Sequence, residues 1–162
     1  MVVLGLVDAA GEATPYSLKQ GVAATIGNFW SIPHSQLYAE PERLAKLGLL
    51  EERRERSGRR RRVYSITGPG REALAAWRRD PVSAFPELRD LALLKLYLGA
   101  DARMVATAQA EAHREKLAQY EALKAGDPGT EPRGPWLALE AGVRHEREWV
   151  AYWQAIAEGR LK

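Results

Sequence analysis

Leu49-Leu50-Glu51-Glu52-Arg53-Arg54-Glu55-Arg56-Ser57-Gly58-Arg59-Arg60-Arg61-Arg62-Val63-Tyr64-Ser65-Ile66 is the stretch whose reading decides the fold. It predicts two strands, 49–56 and 59–66, joined at Ser57-Gly58, because a two-residue connection ending in Gly is a strong hairpin signal. Leu50, Val63, Tyr64 and Ile66 supply apolar side chains near the base, and the tip carries arginines. Thr67-Gly68-Pro69-Gly70 then leads into a helix through Leu74 and Trp77.

Upstream, three helices are expected. Residues 2–7 are apolar enough for one short buried helix, followed by a turn at 8–12 that contains Gly11. Thr14-Pro15 reads as a helix start, with an N-cap hydroxyl and then a residue whose missing N–H costs nothing at the first helical position. That helix spans about 15–26 with Leu18, Val22 and Ile26 inward, and Gly27-Asn28 ends it. After Phe29, Trp30 and a turn at Ser31-Ile32-Pro33, a third helix covers 34–47 with Leu37, Leu44 and Leu47 at helical spacing. Gly48 suits the C′ position. Pro41 removes one helical hydrogen bond, which predicts a kink. Trp30 and Tyr64 are expected in the core. Helix, helix, helix, hairpin, helix is the order of a winged helix-turn-helix.

Charge follows the same division. Residues 1–80 hold 13 basic and 9 acidic side chains, against 11 and 12 in residues 81–162. Seven arginines fall between positions 53 and 62, and such clustering is the electrostatic footprint of a polyanion-binding surface. There is no cysteine, so disulfides and thiolate metal sites are excluded and a reducing, cytoplasmic setting is expected. No apolar run has the length of a membrane span, and the N-terminal apolar run is too short for a signal peptide.

Downstream of Asp80-Pro81 the pattern is helical. Leu88, Leu91, Leu94 and Leu98 mark one helix, Asp101 caps a second, and Pro135 opens a third that ends near Ala157. The expected division is a winged-helix domain at 1–80 and a helical dimerisation domain at 81–162. The overall class is mainly α with a small hairpin. So few helices make a thin core, and the simplest partner for such an arm is a second copy of itself.

In a helix-turn-helix the second helix enters the major groove and reads bases near its N-terminus. Here that helix opens with His34, Ser35, Gln36 and Tyr38. Gln pairs bidentately with adenine, Ser donates or accepts, and Tyr reaches a phosphate. Arg59, Arg60, Arg61 and Arg62 would follow the flanking backbone or enter the minor groove, with Lys19 and Arg43 adding backbone contacts. Trp149 and Trp153, four apart on the last helix, are candidates for a flat slot that takes a planar aromatic ligand in a dimer, or for dimer core.

An enzyme reading fails on context. Gly68-Pro69-Gly70-Arg71-Glu72-Ala73 superficially fits a dinucleotide fingerprint, but an antiparallel hairpin precedes it. His34, His113 and His145 have no metal-ligand spacing, and no cofactor or metal is expected. The surviving alternative is a winged helix that binds RNA or a protein.

Two separated motifs resemble PadR-like transcriptional regulators. Phe29-Trp30, Ser35-Gln36-Leu37-Tyr38-Ala39-Glu40-Pro41-Glu42-Arg43-Leu44 and Gly48-Leu49-Leu50 are similar to that family's recognition-helix region. Val63-Tyr64-Ser65-Ile66-Thr67-Gly68-Pro69-Gly70-Arg71-Glu72-Ala73-Leu74 and Trp77 are similar to its wing exit and following helix. The chain departs at Ser35, where many members have Gly, and at Pro41, where they have an apolar residue. The resemblance implies a homodimeric repressor of an operator overlapping a promoter, relieved in some members by a small aromatic ligand. By position it gives Ser35, Gln36 and Tyr38 the DNA-contact role.

Overall fold

In the computed structural model, residues 1–55, 60–127, 129 and 133–161 are described. The chain forms two compact units, Met1–Phe85 and Pro86–Lys162. Ser57-Gly58, Arg56 and Arg59 lie outside the described residues.

The first unit is built from α1 (Val2–Ala10), β1 (Glu12–Ala13), α2 (Pro15–Ala24), α3 (His34–Lys46), β2 (Leu50–Arg54), β3 (Arg62–Ile66) and α4 (Gly68–Arg79). A single 3-10 turn, Ile26–Asn28, follows α2. The N-cap of α2 forms as expected. The Thr14 hydroxyl accepts from Ser17 N–H at 3.1 Å, and the Ser17 hydroxyl accepts from Thr14 N–H at 2.9 Å. At the end of α3, Gly48 takes φ 73°. Leu49 N–H donates to Leu44 O at 3.0 Å and Gly48 N–H to Ala45 O at 2.9 Å, which together are a Schellman stop. Helix α3 runs unbroken through Pro41, whose ring is buried.

Three elements differ from the sequence reading. Helix α1 continues to Ala10, three residues past its apolar run. Helix α2 ends at Ala24, before Ile26. At the end of the turn expected at 8–12 a short strand, β1, appears, and its Glu12 and Ala13 pair with Ser65 and Tyr64. The sheet therefore has three antiparallel strands in the order β1-β3-β2.

The hairpin register is also corrected. A two-residue connection at Ser57-Gly58 would set Arg54 opposite Arg61. Instead Arg54 lies opposite Arg62, and Glu55 N–H donates to Arg61 O at 3.0 Å. Burial explains the outcome. The observed register sets Leu50 opposite Ile66 and Tyr64 beside Ala13, so all of them share the inner face. A one-residue slip would pair Leu50 with Ser65 and split that set between two faces. The core beneath is Val3, Leu4, Val7, Leu18, Val22, Leu37, Leu44, Leu50, Tyr64 and Leu74.

The second unit contains α5 (Leu91–Tyr97), α6 (Ala102–Ala125) and α7 (Gly134–Ala157). Asp90 caps α5 through Ala92 N–H and Leu93 N–H, and Asp101 caps α6 through Met104 N–H. Leu88 falls before α5 rather than inside it. Helices α6 and α7 run antiparallel: contacts between them advance along α6 while receding along α7, from His113 with Glu146 to Lys124 with Glu140. Gly142 lets them close. A Cβ there would lie 2.9 Å from the Tyr120 ring.

Candidate nucleic-acid interface

Pro33 ends the extended turn before α3, and the first residues of the helix project outward because Leu37 and Leu44 commit the opposite face to the core. His34, Ser35, Gln36 and Tyr38 are all exposed, Tyr38 by 51%. The first-turn N–H groups of α3 receive no side-chain cap. An exposed, uncapped helix N-terminus favours an anion such as phosphate.

Beside this tip lies an open groove of about 220 Å³ lined by Lys19, Val22, Trp30, Ile32, His34 and Leu37, among others. Lys19 is half-buried along its edge. Tyr64 is buried as expected, but Trp30 is not core. It is 55% exposed, and its neighbour Phe29 is exposed too. The sequence signal for this was position: both aromatics sit in the turn between two helices that spend their apolar faces on each other.

The arginines divide into two groups. Arg60 is exposed, with φ 48°, the left-handed region that non-glycine residues rarely adopt. Arg61 is exposed, and its Nε donates to Glu55 at 3.1 Å. Arg53 pairs with Glu12 at 3.0 Å across the outer sheet face. Arg43 is exposed yet held by Glu40 through two bonds of 2.8 and 2.7 Å, which draw the Glu40 carboxyl below the usual carboxylate range. Arg62 turns inward to Glu42 at 2.9 Å. Hydrogen bonds from Lys46 and then Arg62 lower the Glu42 carboxyl in the same way. Arg59 lies outside the described residues. The sequence reading took the arginine run as one outward ribbon. The acidic partners of Arg43, Arg61 and Arg62 escaped it.

In the second unit, Trp149 and Trp153 stack on each other with ring centroids 5.7 Å apart. Trp153 is completely covered and packs among Ala92, Ala106 and Ala110. Within one chain the two indoles pack against each other rather than facing across a gap. Two planar rings four apart on a helix fill the space between themselves. Trp149 is half-buried, stacks on His113 at 5.8 Å and donates its Nε1–H to His145 at 2.7 Å. Among the described residues, no group of three His, Asp or Glu side chains is placed to hold a metal ion, and no helix is long and apolar enough to cross a membrane.

A helix-turn-helix with an exposed polar tip and a basic β-hairpin beside it defines a winged-helix DNA-binding unit. The model of the transcriptional regulator PadR-like family matches residues 3–76, and that of the virulence activator alpha C-terminal family matches 88–159. The match to the PadR-like family of transcriptional regulators lies within the first unit, the one that carries the winged helix. The negative transcriptional regulator PadR of Bacillus subtilis is 27% identical over 175 residues, covering 95% of this chain and 92% of the relative. Three solved structures share the fold. Bacillus subtilis PadR in complex with operator DNA has TM-score 0.83 and 24% identity, covering 97% of this chain and 94% of that one. The same regulator in complex with p-coumaric acid has TM-score 0.77 and 25% identity, covering 96% and 94%. A PadR-like regulator of Bacillus cereus has TM-score 0.77 and 21% identity, covering 98% and 94%.

Proposed function

We propose that this regulator is a repressor that binds a palindromic operator as a homodimer and is released by a small planar aromatic ligand. The observation that carries the reading is the exposed, uncapped tip of α3 with His34, Ser35, Gln36 and Tyr38, beside a hairpin that carries Arg60 and Arg61. The tip reads bases in the major groove, while Lys19, Arg60 and Arg61 hold phosphates. One relative lends support: Bacillus subtilis PadR is described as a negative regulator and was crystallised with operator DNA and with p-coumaric acid.

Residues 1–80 then bind DNA and 81–162 dimerise. The dimer is supported by the apolar side chains left outward on and flanking α5, where Leu88, Leu91, Leu94, Tyr97 and Leu98 are all at least half exposed. A second copy covers that face. Half-site centres are then about 10 base pairs apart, or a multiple of that. The ligand meets the open side of the aromatic cluster, at Trp149 and Tyr152, since Trp153 lies beneath them.

Two measurements test this. Gln36→Ala relaxes preference at one base pair per half-site, at a cost of about 1–3 kcal/mol. An unchanged preference profile, read by selection from a random pool, removes Gln36 from the reading set. Replacing Arg60 and Arg61 by Ala weakens selected and random duplexes about equally and flattens the salt slope by about one unit per lost phosphate contact. Structured RNA that competes as well as a selected duplex would move the function to RNA.

A further inference from the structure

We propose that Arg62 is a positioning residue that sets the wing against the recognition helix, and that it does not serve as a phosphate ligand. The proposal rests on the DNA-binding reading above. It begins with strand support. β1 pairs only with Ser65 and Tyr64, so outward of Tyr64 the wing is a two-stranded ribbon. Such a ribbon has little rigidity of its own.

Strand alternation puts Arg62 on the same inner face as Tyr64 and Ile66, toward α3. There a continuous polar chain links wing to helix. The buried Tyr64 hydroxyl donates to Glu52 Oε2 at 3.0 Å. Arg62 Nε lies 3.5 Å from Glu52 Oε1, and Arg62 Nη1 donates to Glu42 Oε2 at 2.9 Å. Glu42 Oε1 meets Lys46 Nζ at 2.9 Å. Among the described residues, Arg62 to Glu42 is the one ion pair between the wing and α3.

Glu42 stands one helical turn after Tyr38, so the link grips α3 beside its exposed tip. The Arg62 guanidinium sits between two carboxylates, so its charge is met inside the protein. A phosphate would have to compete with both of them for that charge. Both side chains of the Arg62–Glu42 pair are about two-fifths exposed, and a pair in that setting adds little to stability. Its effect lies in geometry. A tip that reads bases and a wing that follows the backbone engage one duplex together only at a fixed mutual angle.

The test compares two labelled duplexes of equal length: one selected from a random pool by the wild-type protein, and one of random sequence. Arg62→Gln and Glu42→Gln each lower the ratio of selected to random affinity by about tenfold. The double variant lowers it no further, and the Arg62→Gln salt slope stays that of the wild type. Arg60→Gln serves as the phosphate-contact control. It weakens both duplexes, leaves the ratio unchanged and flattens the slope by about 0.9. If Arg62→Gln behaves like Arg60→Gln while Glu42→Gln tightens both duplexes, the proposal is overturned and the DNA reading stands. If the wild-type chain selects no duplex, the DNA reading falls and the proposal with it.

Discussion

Gly70→Ala unfolds the first unit far more readily than wild type. A Cβ at position 70 would lie 2.1 Å from the Leu49 carbonyl oxygen and 2.9 Å from the Ile66 side chain. The first of these is backbone, held by the Schellman stop of α3 on one side and by Thr67 on the other, whose N–H donates to Leu49 O at 3.2 Å. Neither neighbour yields without disturbing the junction of α3, β2, β3 and α4. The expected loss is roughly 3 kcal/mol, the upper part of the range for overpacking. Gly68→Ala is the matched control two residues away. Nothing lies within 4 Å of a Cβ there, and its φ is not left-handed. It leaves stability unchanged or raises it by about 0.5 kcal/mol through the unfolded chain. Urea unfolding followed by circular dichroism separates the two. Equal midpoints would refute the close-approach account of Gly70.

Trp153→Ala costs about 3–5 kcal/mol, the range for deleting a fully buried large aromatic. The indole fills the space among Ala92, Ala106 and Ala110, whose small side chains cannot expand into the cavity left behind. Trp153→Phe separates packing from hydrogen bonding. The buried Nε1 finds no acceptor among the described residues, so its removal sacrifices no bond. Phe therefore retains most of the stability that Ala loses. Thermal unfolding of the two variants decides the point, and a Phe variant as unstable as Ala would show that the indole N–H is satisfied after all.

What the sequence revealed, and what it did not, has a common cause. Thr14, Pro15, Gly48 and Asp101 mark helix ends through bonds to residues within a few positions, so local chemistry determines them. β1 gives no such signal. Two residues, Glu12 and Ala13, become a strand only because Tyr64 and Ser65, more than fifty positions later, present a free edge. The hairpin register shows local and global evidence in conflict. Ser57-Gly58 suggested the shorter connection, and burial of Leu50, Tyr64 and Ile66 on one face overruled it. The same limit applied at the interface. The polar opening of α3 was legible because Leu37 and Leu44 fix the inner face by period alone. That Arg62 turns inward was not, because its partner Glu42 lies twenty positions away on another element. Trp30 was misjudged for the same reason: an indole is apolar in any sequence, and only the packed helices show that no room was left for it.

The glutamates in and around the wing bear on how the regulator finds its target. Arg53, Arg54, Arg61 and Arg62 each already face a carboxylate, from Glu12, Glu52, Glu55 and Glu42 respectively. Attraction to bulk chromosome grows with every phosphate neutralised, and each such partner tempers it. A protein outnumbered by millions of wrong sites gains from brief stays at each of them. Acid in the wing thus shortens every unproductive visit and leaves more copies at liberty to search.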